Sequence, residues 1–159
     1  MKVMVLGLGN ILLSDEGIGV RVVEALEARY TFPPEVSVVD GGTSAMDMLD
    51  QLAETDHLIV TDAVKTGRPP ATVVRIAGDD VPVFFRTKIS PHQVGLCDVL
   101  ATLTLMEAEI LTVAVIGCEP VSLATSIDLS PEVAGRIDAM IALVLDELKT
   151  FGITATPCA

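Results

Sequence analysis

The sequence predicts an α/β fold, a single-domain three-layer α/β/α arrangement around a five-stranded mixed, mostly parallel sheet. Three observations carry this. Strand-like apolar runs alternate with helix-period segments along the chain. Half of the 159 residues are hydrophobic, chiefly Val, Leu, Ile and Ala with few aromatics and no Trp, the composition of strands buried on both faces. One connection, Ala63 to Ala71, holds Gly67, Pro69 and Pro70 and has no room for a crossover helix. Parallel neighbours need a crossover of about a dozen residues or more, so the fourth strand is expected to run antiparallel to the third.

The elements follow in order. Lys2–Gly7 reads as the first, buried strand. A helix is expected from Asp15 or Glu16 to Tyr30, with Ile18, Val22 and Leu26 on one face, until Phe32-Pro33-Pro34 stops it. Glu35–Asp40 forms the second strand and ends in Asp40-Gly41-Gly42-Thr43. Ser44 is the expected N-cap of the next helix, whose apolar face is Met46, Leu49, Leu52 and Ala53. His57–Asp62 is the third strand and Thr72–Ala77 the fourth. Ser90 as N-cap, Pro91 at the first helical position and Gln93 two residues on form a strong helix start, and that helix runs to about Glu107. Ile110–Gly117 is the fifth strand. Ser130-Pro131 opens a long last helix to about Phe151. Residues 1–152 make the domain and 153–159 a flexible tail.

Charge and composition exclude several function classes. A net charge of −12 argues against nucleic acid and against anionic membrane surfaces as partners. No apolar run approaches the roughly 18 residues of a spanning helix, so no membrane insertion is expected. Cys97, Cys118 and Cys158 are odd in number and form no C-x-x-C, which points to a reducing cytoplasm and away from a zinc ribbon or a disulfide framework. Lys65, Arg68, Arg75, Arg86 and Lys88 fall in one segment and are read chiefly as solvated loop charge.

Val5-Leu6-Gly7-Leu8-Gly9 opens like a dinucleotide-binding loop, but the third glycine of that motif would stand at position 12, where Leu12 is found. Five residues past Gly9 come Ser14-Asp15-Glu16-Gly17, acids that would repel a pyrophosphate and suit a metal ion. In open α/β sheets ligands collect outside the carboxyl ends of the strands. Those ends are Gly7–Asn10 with Glu16 beyond, then Asp40-Gly41-Gly42, Asp62, and Gly117-Cys118-Glu119-Pro120. With the first strand central, Glu16 and Asp62 share one edge. His92, at the second position of its helix, is kept neutral by the positive helix end and is free to act as a ligand. Two carboxylates and one imidazole suit a borderline divalent ion such as nickel or zinc.

Each residue also has a plain structural use. Glu16 complements a helix dipole, Asp62 caps the turn after a strand, Asp40 is a turn residue before two glycines, and His92 decorates a helix start. His57 belongs at a strand's beginning, on the far side of the sheet. Cys118 and Cys97 read as small buried residues, and Met46, Met48, Met106 and Met140 as packing.

The chain nevertheless carries a pattern that resembles the nickel–iron hydrogenase maturation endopeptidases of the uptake-type hydrogenases. The matching motifs are Gly7-x-Gly9-Asn10-x-Leu12-x-x-Asp15-Glu16-Gly17-x-Gly19, Asp40-Gly41-Gly42-Thr43, Ile59-x-x-Asp62-Ala63, Lys88-Ile89-Ser90-Pro91-His92-Gln93-x-Gly95 and Gly117-Cys118-Glu119-Pro120. They run in order to about Gly152. The resemblance implies that Glu16, Asp62 and His92 recognise nickel and serve the reaction, and that Gly41 and Gly42, beside Asp40, recognise the substrate. It implies as substrate a nickel-loaded precursor of the hydrogenase large subunit, whose C-terminal extension is removed after a basic residue. Nickel is then expected to arrive with the substrate, with zinc or cadmium able to take its place in vitro. No H-E-x-x-H and no serine or cysteine nucleophile beside a base is present, so a strongly held resident zinc is not expected. Two rivals remain at this point. One is a non-enzymatic nickel carrier or chaperone that docks on the same precursor; the other is a dinucleotide-dependent oxidoreductase, which the missing third glycine and the two acids oppose.

Overall fold

The computed structural model describes residues 1–78, 80–81, 101–103, 105–108 and 110–159. The expected helix start at Ser90–Gln93 lies outside them, and with it His92 and Cys97. In chain order the described elements are β1 (Val3–Leu8), a 3-10 turn (Ser14–Gly17), α1 (Ile18–Arg29), β2 (Tyr30–Thr31), β3 (Val36–Gly42), a second 3-10 turn (Ala45–Met48), α2 (Leu49–Ala53), β4 (His57–Ala63), β5 (Val73–Ala77), β6 (Thr112–Cys118), α3 (Pro131–Ala134), α4 (Ile137–Thr150) and β7 (Thr156–Pro157).

Five strands form one sheet in the order β3-β1-β4-β6-β5. β1 pairs in parallel with β3 on one side and β4 on the other, with Gly7 opposite both Asp40 and Thr61. β4 and β6 are also parallel, with Asp62 opposite Gly117. β5 runs antiparallel to β6, and so opposite to β4, as the short Gly/Pro connection requires. Its hydrogen-bonded partner is β6, which places it at an edge. The five-stranded, mostly parallel architecture read from the sequence is thus the one observed.

Every residue of β1 is buried, because both faces of the sheet are covered. On one face Val3, Val5, Ile59 and Ile116 meet Ile18, Val22 and Leu26 of α1 and Met140, Ile141, Val144 and Leu148 of α4. On the other, Met4, Leu6, Leu58, Val60 and Val115 pack with Leu52 of α2 and with Leu103. Removing this apolar surface from water is the dominant favourable contribution to folding.

Four differences from the expected elements have identifiable causes. The helix expected from Asp15 begins as a 3-10 turn, and the α-helix proper starts at Ile18. Asp15 and Glu16 are buried there, so the backbone follows the tertiary bonds of the turn. The helix expected at Ser44 likewise opens as a 3-10 turn, and Ser44 makes no side-chain cap. The last helix is broken at Gly135-Arg136 into α3 and α4. Finally, the 153–159 segment, expected to be a flexible tail, is paired. Ile153 is buried, Thr156 and Pro157 pair with Thr31 and Tyr30, and the Cys158 amide donates to the Arg29 carbonyl.

Candidate functional site

The carboxyl ends of β3, β1, β4 and β6 face one edge of the sheet, and the turn that carries Glu16 is pressed onto it. Three close approaches fix that turn. Gly9 has φ +137°, and a Cβ there would stand 2.0 Å from the Glu16 carbonyl oxygen. At Gly19 a Cβ would stand 2.1 Å from the Thr61 carbonyl oxygen and 2.4 Å from that of Leu8. The Thr61 hydroxyl donates to the Gly19 carbonyl at 2.9 Å. Gly19 therefore does the work that the third glycine does in a dinucleotide loop, letting helix and strand meet closely. What the closeness serves is different: it seats the Glu16 turn against β4, one residue before Asp62.

Glu16 and Asp62 are both buried, 8% and 3% exposed, although both are carboxylic acids. Glu16 lies in the 3-10 turn after β1 and Asp62 near the end of the neighbouring strand β4, over the same edge; β4 is the central strand of the five, where the sequence suggests the first. Glu16 and Asp62 also interact with other groups of the protein. Oxygen donors of this kind fit a divalent ion. Among the described residues no group of three or more His, Cys, Asp or Glu side chains assembles a metal site, and His92, the expected third ligand, is outside them.

Asp15, which the sequence reading grouped with Glu16, has a different use. It is fully buried and holds two loops together. One carboxylate oxygen accepts from the amides of Val121 and Ser122, each at 2.9 Å, and from the Ser130 hydroxyl at 2.8 Å. The other accepts from the Ser130 amide at 2.8 Å. Burial pushes the carboxyl up, but the hydrogen bonds from Ser122, Ser130 and Val121 outweigh it and hold Asp15 below the ordinary carboxylate range. Alongside, Ser14 bonds the Ser126 carbonyl through its amide, the Ser126 amide bonds the Leu12 carbonyl, and the Ser14 hydroxyl bonds the Asp128 carbonyl. The donors for Asp15 lie more than a hundred residues away in sequence, so no local signal distinguishes this acid from its neighbour.

The turn that ends β3 is open at Asp40 and Thr43. Asp40 is exposed, and its side chain accepts from the Gly42 amide at 2.9 Å, an Asx turn. Gly42 has φ +49° and its carbonyl accepts from the Gly9 amide at 2.9 Å, which joins this turn to the Glu16 loop. Gly41 sits over Leu6 and Leu8, where a Cβ would stand 2.7 Å from Leu6. Between the two turns runs a groove of about 310 Å3 lined by Gly9, Asn10, Ile11, Leu12, Asp40 and Gly42 among others. Its lining is mainly apolar and backbone, the surface an extended peptide can lie on.

Cys118 ends β6 at the same edge. Its thiol is buried and pushed up to about 11, by burial first and then by the charges of Asp15 and Glu119, partly offset by Arg136. A thiol held protonated at neutral pH is a poor nucleophile. His57 stands at the opposite end of the sheet, as expected. Its ring stacks on Phe151 with centroids 4.1 Å apart and shares a 2.7 Å hydrogen bond with the Thr112 hydroxyl. Of the basic segment, Arg75 pairs with Glu147 on α4 and Lys65 and Arg68 sit exposed on the loop after β4, while Arg86 and Lys88 lie outside the described residues.

Comparison with known proteins gives the family of the chain. Residues 20–147 match the family model described as hydrogenase maturation protease. The chain belongs to the hydrogenase maturation protease family. It is 44% identical to the hydrogenase 2 maturation protease of Escherichia coli (strain K12), over 99% of this chain and 96% of that one. It is 45% identical to the hydrogenase expression/formation protein HupD of Rhodobacter capsulatus, over 98% of this chain and 75% of the relative. Its fold superposes on the hydrogenase maturating endopeptidase HybD from E. coli with a TM-score of 0.94 at 44% identity, covering 99% and 98% of the two chains. Family membership makes the chain a peptide-bond hydrolase and disposes of the oxidoreductase rival.

Proposed function

We propose that this protease removes the C-terminal extension from the large-subunit precursor of a nickel–iron hydrogenase and reads nickel already held by that precursor as its recognition signal. The observation that carries the reading is the pair of buried carboxylic acids, Glu16 on the turn after β1 and Asp62 near the end of the adjacent strand β4, over one edge of the sheet with an open groove at the turn's outer side. In this reading Glu16, Asp62 and His92 engage the metal that the substrate brings. Zinc or cadmium is expected to bind the same residues in vitro. Gly41, Gly42 and Asp40 flank the peptide in the groove.

Engaging the metal positions the scissile peptide at the mouth of the edge. One of the two carboxylates then takes a proton from water, whose oxygen attacks the peptide carbonyl. The C–N bond breaks, and the proton passes to the leaving amine. The protonated Cys118 supports a water nucleophile over a thiolate. Among the described residues no helix is long and apolar enough to cross a membrane, and Cys118 and Cys158 are free thiols, which supports a reducing cytoplasm as the working compartment.

The test is incubation with a nickel-loaded large-subunit precursor followed by intact-mass analysis. The expected result is a client shortened by its C-terminal extension. A client of unchanged mass would overturn the reading and favour a nickel carrier that docks without cutting.

A further inference from the structure

The carboxyl end of β6 carries a second buried acid that the proposed reaction does not use. Glu119 is 5% exposed. Its Oε1 accepts from the Thr66 amide at 2.6 Å and also from the Thr66 hydroxyl. Arg68 donates to that same hydroxyl at 2.7 Å, so a chain of bonds runs from Arg68 through Thr66 to Glu119. The Glu119 backbone grips the far end of the same loop, its amide donating to the Thr72 carbonyl and its carbonyl accepting from the Ala71 amide, both at 2.9 Å.

The loop held this way, residues 64–72, leaves β4 two residues after Asp62. Its start is fixed by the bond from the Val64 amide to the Cys118 carbonyl at 3.0 Å. Val64 presses on the bare Cα of Gly117, where a Cβ would stand 2.4 Å from a Val64 methyl. Its end holds Ala71 at φ +64°, a left-handed conformation that is unfavourable for a non-glycine residue and persists only where its surroundings fix it. Glu119 and Arg136, whose Nε donates to the Ala71 carbonyl at 3.0 Å, do the fixing.

We infer that Glu119 is a positioning residue: by clamping Thr66 and the 64–72 loop onto the end of β6, it holds the exit of β4 so that Asp62 keeps the placement the reaction needs. This rests on the proposed role of Asp62, and nothing in the loop's own sequence announces it. The carboxylate works as an acceptor for two donors on one residue, a task its amide analogue performs in part.

The experiment compares wild type with Glu119→Ala, Glu119→Gln, Thr66→Val and the Glu119→Ala/Thr66→Val double variant. Three quantities are read: kcat and KM for precursor cleavage, thermal midpoint, and hydrogen exchange at the Thr66 and Ala71 amides. Glu119→Ala is expected to lower kcat at least about tenfold with KM within about twofold, and to speed exchange at both amides. Glu119→Gln should recover most of kcat, and Thr66→Val should add little in the double variant, because the hydroxyl bond it removes is already lost with the Glu119 carboxylate. A Glu119→Ala protein that is folded and cuts within twofold of wild type overturns the inference, as does unchanged exchange at Thr66. Should Glu119→Ala fail to fold, Thr66→Val reads the same contact: a several-fold loss of kcat supports the clamp and an unchanged kcat overturns it. If wild type itself leaves the precursor intact, it is the proposed function that fails, and the exchange measurement still decides whether Glu119 holds the loop.

Discussion

The two glycine-marked turns at the carboxyl edge of the sheet are built in opposite ways. The turn after β1, residues 9–19, is buried from Ser14 onward and over-determined. Gly9 and Gly19 admit backbone contacts that no side chain would tolerate, and Asp15 ties the turn to residues 121–130 through four hydrogen bonds. The turn that ends β3, residues 40–43, is more open: Asp40 and Thr43 are exposed, and beyond its pairing with β1 it is held by the Asx bond, one bond to Gly9 and one from the Ser44 amide to the Gly41 carbonyl. The rigid turn presents an acid, Glu16, at a place set by the core; the open one borders a groove. Such a division suits a protease, whose reacting groups must be held within a fraction of an ångström while its substrate strand enters and leaves.

Substitutions break or sharpen this contrast. The largest effect is expected at Gly19→Ala, where the new methyl would overlap two carbonyl oxygens of the sheet. A loss of about 3 kcal/mol, seen as a fall in thermal midpoint of roughly 6–12 °C, is the expected outcome of thermal denaturation. A midpoint equal to wild type would mean that the turn is not wedged on the sheet.

Asp15→Asn comes next. An amide offers one acceptor oxygen where four donors converge and turns its own N–H toward donors, which costs about 2–3 kcal/mol. The pH dependence is diagnostic. Because the folded Asp15 carboxyl lies below its ordinary value of 3.8, its contribution is fully present above that value and is lost as pH falls through the lower, folded one. Urea unfolding at a series of pH values should therefore show a shallower acid loss in Asp15→Asn than in wild type. Parallel acid limbs would contradict the assignment of Asp15 as the clamp.

The smallest effect is expected at Gly42→Ala. The φ of +49° disfavours alanine by about 1 kcal/mol, but the nearest atom to the new Cβ is 3.7 Å away, so nothing collides. The protein should stay folded with a midpoint lowered by only a few degrees, while KM for the precursor rises more than kcat falls. A change confined to kcat would move this turn from the groove to the reacting centre.

Much of this was legible from the sequence because it rests on short-range rules. Apolar runs and a crossover too short for a helix specify the sheet and its one reversed strand, and strand-end logic puts Glu16 and Asp62 at one edge of the sheet, where the structure also has them. What was not legible depends on partners distant in sequence. Asp15 and Glu16 look alike until the amides of residues 121–130 select one of them as a clamp. Gly19 takes the packing role expected of a glycine at position 12, since the 3-10 turn delays the helix by several residues. The last residues look like a loose tail, because a two-residue pairing with Tyr30 and Thr31 has no periodicity to read. Glu119 passes for a turn residue until Thr66 is folded onto it.

The measurement that tests the central claim most directly is the rate of cleavage of nickel-loaded and nickel-free precursor by wild type, Glu16→Gln and Asp62→Asn, followed by intact mass. The account predicts rapid shortening only for wild type with the nickel-loaded precursor, and a loss of about a hundredfold or more in each variant at an unchanged thermal midpoint. Equal cleavage of loaded and empty precursor, or wild-type rates from Asp62→Asn, would contradict it.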